Sequence, residues 1–433
     1  MEIQRLEQEG MTLEQVRKAI TDTEHFYPKR YGIDFYNTYE EDLEMLAETG
    51  MKAFRTSIDW SRVFPQGDEL EPNQAALEHY EKMIDKIREV GMEPIITMLH
   101  YETPIHLTLE YGGWANKKII EKFVRYGKSL LDRFGKKVKY WIVINHINMI
   151  QVEPFLSLGI CKDQYEHEAQ YQGVHNQMVA SALIQKYAKS LNLPDLQIGT
   201  MVADGTAYPA SCKPEDINLA MWHNRMQYMF TDVQFRGAYP KVALNYFAQK
   251  GINLEITEDE KQILCENTLD YLAISYYFSQ MVDASKNGYF PYDITNNEHL
   301  EANPWGWNID PKGLYNSLSQ YWDRYGKSIM IAENGFGMYD TVIDNKIHDN
   351  YRSDYLSQHI EQVGHAIYEG ADVFAYCVWG PIDIVSCSSQ QMCKRYGFIY
   401  VDIDDEGNGT RKRLKKDSFD WYQKVTATNG AEI

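Results

Sequence analysis

A chain of 433 residues, 44% hydrophobic and 24% charged, carries enough apolar material for one large α/β barrel or for two or three average domains. Its formal net charge of −19 argues against nucleic acid as a partner, because phosphate backbones would be repelled, yet allows a small anionic ligand in a local basic pocket. The six cysteines are scattered without metal or disulfide spacing, and no HExxH pattern occurs, so neither a metal nor a cofactor is implied.

The opening residues, MEIQRLEQEG, are polar and charged, unlike a signal peptide. No apolar run reaches the ~18–20 residues a membrane helix needs, and the expected setting is a reduced cytoplasm without a membrane partner. Residues 1–29 contain no convincing buried strand. Helical sequence follows over Glu41–Thr49 and stops at Gly50. The first strand is expected over Ala53–Ile58. A helix over Asn73–Val90 repeats Leu77, Tyr80, Ile84, Ile87 and Val90 at three- and four-residue steps before Gly91. Next come a strand over Pro94–Leu99 and a helix carrying Ile119, Phe123, Leu130, Leu131 and Phe134. Further strands are expected over Tyr140–Asn145, Leu196–Val202, Tyr271–Tyr277, Ser328–Glu333 and Val373–Trp379.

These runs are almost continuously apolar, as in a parallel sheet buried on both faces. Their alternation with helices, with no linker or repeat, predicts a single domain over residues 1–433 of the TIM (β/α)8 type. An open nucleotide-binding sheet is disfavoured because GxGxxG is missing. Only seven barrel strands are recognisable, so the first strand is expected to be lacking and residues 1–26 form an atypical N-terminal segment.

Active sites of such barrels lie at the C-terminal strand ends. Six of the seven strands deliver a polar or aromatic side chain to that rim: Arg55, His100, Asn145 with His146, Tyr276 with Tyr277, Glu333, and Trp379. Any one of them has a bland reading as hydrogen-bonded structure. Together they suit a polyhydroxyl ligand, which needs hydrogen bonds at its rim and a flat ring against its apolar face. A carboxylate directly after a buried strand is costly unless paired or functional, which singles out Glu333. A structural Arg55–Glu333 pair is the competing reading.

FRTSIDWSRVFPQGDELEPN, EPIITMLHYETPIHLTLEYGGWAN, FGKKVKYWIVINHIN, LDYLAISYY, WGWNIDPKGLY, IMIAENGFG and WGPIDIVSCSSQQMCKRYGFIYVD follow one another along the chain. In this order they resemble glycoside hydrolase family 1, from about Tyr27 to the C-terminus. By that resemblance Glu333 matches the catalytic nucleophile of a retaining glycosidase. Asn145 matches a contact to the sugar 2-hydroxyl, and His100 and Trp379 match further sugar contacts. Arg55 matches a partner of the nucleophile and Tyr277, less surely Tyr276, the tyrosine bonded to it. Where many members carry a Glu–Trp pair for the sugar's 4- and 6-hydroxyls, this chain has Ser386 and Cys387. Ser388, Lys394 and Tyr396 instead match the spacing of a 6-phosphate site, and the resemblance is nearest to the 6-phospho-β-glucosidases. The small Cys387 leans away from the alternative, a 6-phospho-β-galactosidase.

Two departures qualify the resemblance. His146 stands where the family has its acid/base glutamate; losing a positioned general acid typically costs ~10²–10⁴ in rate. The family's opening strand motif, FLWGxAxxxxQxEG, has no counterpart here. An open barrel exposes two strand edges, which invites aggregation, a partner or homo-oligomerisation. The expected function is impaired hydrolysis of 6-phospho-β-glucosides; the alternative is a phospho-sugar-binding pseudoenzyme.

Overall fold

The computed structural model describes residues 10–164 and 167–433. Seven strands form one parallel sheet: β1 (Ala53–Ser57), β2 (Glu93–Leu99), β3 (Tyr140–Ile144), β4 (Gln197–Ala203), β5 (Tyr271–Ser275), β6 (Ile329–Asn334) and β7 (Val373–Val378). They pair in chain order from β1 to β7, and every pairing is parallel. Each expected strand is found within one or two residues of its expected ends.

The helices between them bury the faces that their sequence periodicity marks. Lys118–Phe134 turns Ile119, Phe123, Tyr126, Leu130 and Phe134 inward. Gln74–Glu89 does the same with Leu77, Tyr80, Ile84 and Ile87, and the Asn73 side chain caps its start by accepting from Ala75 N–H. Strand, helix and parallel strand thus repeat around a TIM-type barrel.

Register shifts interrupt the pairing of β5 with β6 at Ile274–Ser275 and of β6 with β7 between Ile331 and Asn334. Such bulges re-aim side chains, and these flank Glu333 at the barrel rim. Beyond β7, the C-terminal segment is fastened by buried charged groups. Arg352, on the helix before β7, donates to the Arg395 carbonyl at 3.1 Å, Lys416 meets Asp383 at 2.8 Å, and Arg395 donates to the carbonyls of Val401 and Ile403. This clamp holds the stretch carrying Ser386–Tyr396 over the C-terminal end of the barrel.

Among the described residues, no strand pairs with the outer edge of β1 or of β7. All five residues of β1 and five of the six in β7 are only half-buried, whereas β5 and β6 are buried throughout. Between the two edges lies a slot of about 680 Å3. Residues 10–29 supply a helix, Leu13–Thr21, closed by a capping box between Thr12 and Gln15, and no strand. Among the described residues, no helix is long and apolar enough to cross a membrane.

Candidate active site

Glu333 lies near the end of β6 with only 1% of its surface exposed. Arg55, pointing inward from β1, donates from Nη1 to Oε1 at 2.7 Å; Tyr277, just past β5, donates its hydroxyl to Oε2 at 2.8 Å. Burial alone would push this carboxyl up. The electrostatic pull of His146, the close approach of His100, and the Arg55 guanidinium outweigh it and hold Glu333 well below the usual carboxylate range. A carboxylate kept ionised in a dry site can act as a nucleophile or stabilise a developing cation.

The Arg55 guanidinium also organises its surroundings. Its Nη2 donates to Asn145 Oδ1 at 2.7 Å and its Nε to Thr97 Oγ1 at 3.1 Å. The bond to Oδ1 fixes which way the Asn145 amide faces, and among the described residues its buried Nδ2 has no hydrogen-bond partner. A buried donor of this kind is ready for a ligand hydroxyl.

Two histidines close on the carboxylate. His100 Nε2 lies 3.7 Å from Oε1, and His146 Nε2 lies 3.5 Å from Oε2. Burial lowers the pKa of His100, favouring its neutral form. The His100 ring stacks on Trp379, with centroids 5.8 Å apart and planes 11° from parallel. The second nitrogen of His146, Nδ1, shares a 2.7 Å hydrogen bond with the Tyr101 hydroxyl. Tyr101 and His146 both hold left-handed backbone, with φ of 78° and 42°. For non-glycine residues such strain clusters at functional sites.

A second cluster lies nearby. Lys394 is 1% exposed, and its ammonium sits 3.6 Å from the Trp307 ring centroid and 5.0 Å from that of Trp305. Among the described residues no carboxylate pairs with it, and burial lowers its pKa to about 7. The Tyr396 ring centroid is 5.8 Å from the same nitrogen. Tyr396 bonds to Ser386, whose Oγ is 3.5 Å from that of Ser388. The spacing Ser388, Lys394, Tyr396 therefore becomes one connected patch of a cation and hydroxyls.

Arg55, His100, Asn145, His146, Tyr277, Glu333 and Trp379 thus gather at one rim. The choice left open between the two tyrosines is resolved: Tyr277 reaches the carboxylate, while Tyr276 turns outward and donates to the Asp310 carbonyl. Sequence reasoning missed Tyr101, Trp305 and Trp307. The tryptophans stood in the quoted WGWN stretch, but nothing in their spacing shows that they face Lys394. It also missed Glu102, whose carboxyl burial, aided by Asp59, pushes up to about 8, leaving it largely protonated at neutral pH. Among the described residues no cluster of His, Cys, Asp and Glu could hold a metal ion.

Comparison with known proteins gives a consistent result. Residues 14–431 match glycosyl hydrolase family 1. The chain is 46% identical over 410 residues to the aryl-phospho-β-D-glucosidase BglH of Bacillus subtilis, covering 93% of this chain and 87% of that protein. It is 42% identical over 418 residues to the 6-phospho-β-glucosidase AscB of Escherichia coli, covering 95% and 88%. Among solved structures, the family 1 β-glucosidase of Thermotoga maritima superposes with a TM-score of 0.84 at 30% identity, over 98% of this chain and 93% of that one.

Proposed function

Because the chain belongs to glycosyl hydrolase family 1 and is closely related to 6-phospho-β-glucosidases, we propose that it binds 6-phospho-β-glucosides and hydrolyses them slowly. The observation that carries this reading is Glu333, buried yet held ionised by Arg55 and Tyr277. In this reading Glu333 attacks the anomeric carbon, Asn145 Nδ2 meets the 2-hydroxyl, and Lys394, Ser388 and Tyr396 hold the 6-phosphate. The aglycone oxygen then leaves with the bonding electrons and needs a proton, which the family draws from a glutamate and this chain must draw from His146.

The His146–Glu333 contact explains the slowness. Retaining glycosidases separate their two carboxyl groups by ~5–5.5 Å, which leaves room for the anomeric centre. Here 3.5 Å separates the imidazole from the carboxylate, so a sugar must first displace the ring. The same contact favours a second reading, binding without turnover. A 4-nitrophenyl 6-phospho-β-glucoside separates the two. Its leaving group needs little protonation, so slow but saturable release is expected, lost when the phosphate is removed. No release alongside retained binding of glucose 6-phosphate would establish the second reading.

Lys394 makes the phosphate assignment testable through pH. Its ammonium is half-lost near pH 7, whereas a phosphate dianion would hold it protonated. Binding of glucose 6-phosphate is therefore expected to take up a proton above pH 7. Its affinity should fall by up to about tenfold per pH unit between pH 8 and 10, and Lys394→Met should remove the dependence. Titration calorimetry in buffers of different ionisation heat reads both quantities. PH-independent binding over that range would exclude Lys394 as the phosphate partner.

A further inference from the structure

Substituting histidine for a glutamic acid changes the charge of a proton donor. A protonated glutamic acid is neutral and becomes a carboxylate when it donates. An imidazole must first become a cation, because the neutral ring holds its remaining proton too tightly to give it to a leaving oxygen. A histidine that donates at this rim therefore needs a carboxylate nearby besides Glu333, which attacks the sugar. The fold supplies one.

The left-handed backbone of His146, with φ of 42°, leads the chain out of β3 into successive turns. Met149 N–H donates to the His146 carbonyl at 2.9 Å, and Glu153 N–H donates to the Met149 carbonyl at 3.1 Å. This winding brings Glu153 back to the side of the chain that bears the imidazole. Its carboxyl lies within electrostatic reach of the His146 ring, and of the Tyr101 hydroxyl that shares a 2.7 Å hydrogen bond with Nδ1. No structural role accounts for it. Glu153 stands immediately before the helix Pro154–Leu158 without capping it, and among the described residues its carboxyl makes no hydrogen bond or ion pair. Burial raises its pKa, and the charges of Lys29 and His146 oppose this without cancelling it. The other groups facing this pocket are engaged or hold their protons. Lys29 donates to the Cys387 carbonyl at 2.9 Å, and Glu102 accepts from the His100 N–H at 3.1 Å. Burial raises the Tyr101 hydroxyl well above its usual range and pushes the Cys387 thiol up to about 12.

We propose that Glu153 and His146 together replace the single acid/base of the family: they share one proton, His146 presents it to the glycosidic oxygen, and Glu153 sets how often the imidazole is charged. The inference rests on the function proposed above, and Glu153 is a positioning residue, since it acts through the ring. With the proton on the imidazole the pair is net neutral, as a glutamic acid is. As the bond between the anomeric carbon and the aglycone oxygen breaks, its electron pair goes to that oxygen and the Nε2 proton follows, while Glu333 forms the new bond to the carbon. Glu153 stays a carboxylate and the imidazole becomes neutral. Water then attacks the anomeric carbon, the bond to Glu333 breaks with its electrons returning to the carboxylate, and one proton of the water returns to Nε2.

The test reads the pair directly and then reads turnover. In protein carrying isotope-labelled histidine, the ring signal of His146 is identified by its loss in His146→Gln and followed with pH. Two steps are expected, the lower one tracking Glu153 above the usual carboxylate range; Glu153→Gln should leave one step and Glu153→Asp should restore two. The ratio of 4-nitrophenyl to alkyl 6-phospho-β-glucoside turnover should rise at least about tenfold in Glu153→Gln, because the alkyl leaving group depends far more on the proton. Glu153→Asp should bring the ratio back towards the parent value, whereas a purely structural role would lower both turnovers together. A single-step His146 titration in the parent chain, or an unchanged ratio in Glu153→Gln, would overturn the proposal. No turnover of either substrate by the parent would refute the hydrolysis reading instead, and the titration would still decide the pairing.

Discussion

Replacing His146 by Glu is expected to raise the turnover of aryl 6-phospho-β-glucosides by roughly 10²–10⁴, the usual contribution of a positioned general acid. The reasoning starts from Glu333. An ionised carboxylate there would raise the pKa of a second carboxyl placed opposite, keeping it protonated at neutral pH and able to donate. The imidazole now there instead spends one nitrogen on Tyr101 and turns the other to Glu333. The change has a structural cost. Tyr101 loses its hydrogen-bond partner, and φ of 42° suits glutamate less well than histidine. Together these should remove about 1–2 kcal/mol of stability. Steady-state kinetics beside a thermal melt separate the effects. The gain should be larger for alkyl than for nitrophenyl aglycones, because poor leaving groups depend most on protonation. A folded His146→Glu protein with unchanged turnover would show that the missing acid is not what limits catalysis.

Glu333→Gln is expected to lower any turnover by about 10⁴ or more, since it removes the group that forms the covalent bond. The amide keeps the shape and can still accept from Arg55 or Tyr277, so the protein should fold. Its effect on stability should depend on pH with a definite sign. A carboxyl whose folded pKa is depressed contributes stability above its unfolded pKa, which disappears as pH falls through the folded value. The parent chain should therefore lose stability below about pH 4, where the free carboxyl takes up its proton, more steeply than Glu333→Gln. Parallel denaturant titrations at pH 7 and pH 3 read the difference. Identical pH dependence would mean that Glu333 is not held ionised by its neighbours.

How legible all this was in the sequence follows from what each signal encodes. The seven strands were readable because a strand buried on both faces must be apolar throughout, and IMIA or YWIVI has no other economical placement. The rim residues were readable because barrel topology sends strand ends to one face, so position along a run stands in for position in space. Distances were not. Nothing in NHIN shows that His146 would lie 3.5 Å from Glu333, since that depends on the bulges beside β6 and on the pull of Tyr101. Likewise Trp307 and Lys394 are 87 positions apart by number, and only the folded segment after β7 lays one over the other. The tyrosine choice also needed coordinates, because successive side chains at a strand end diverge and one residue of shift exchanges their roles.

The most direct measurement is mass spectrometry of the protein after exposure to a 6-phosphoglucosyl fluoride bearing a second fluorine at C2. Attack by the Glu333 oxygen forms the bond to the anomeric carbon as the C–F bond breaks, and fluoride leaves with its electron pair without needing a proton from His146. The expected result is one glycosyl adduct per chain, on the peptide containing Glu333, and none in Glu333→Gln. An adduct on another residue, or no adduct on a folded protein that binds glucose 6-phosphate, would contradict the account.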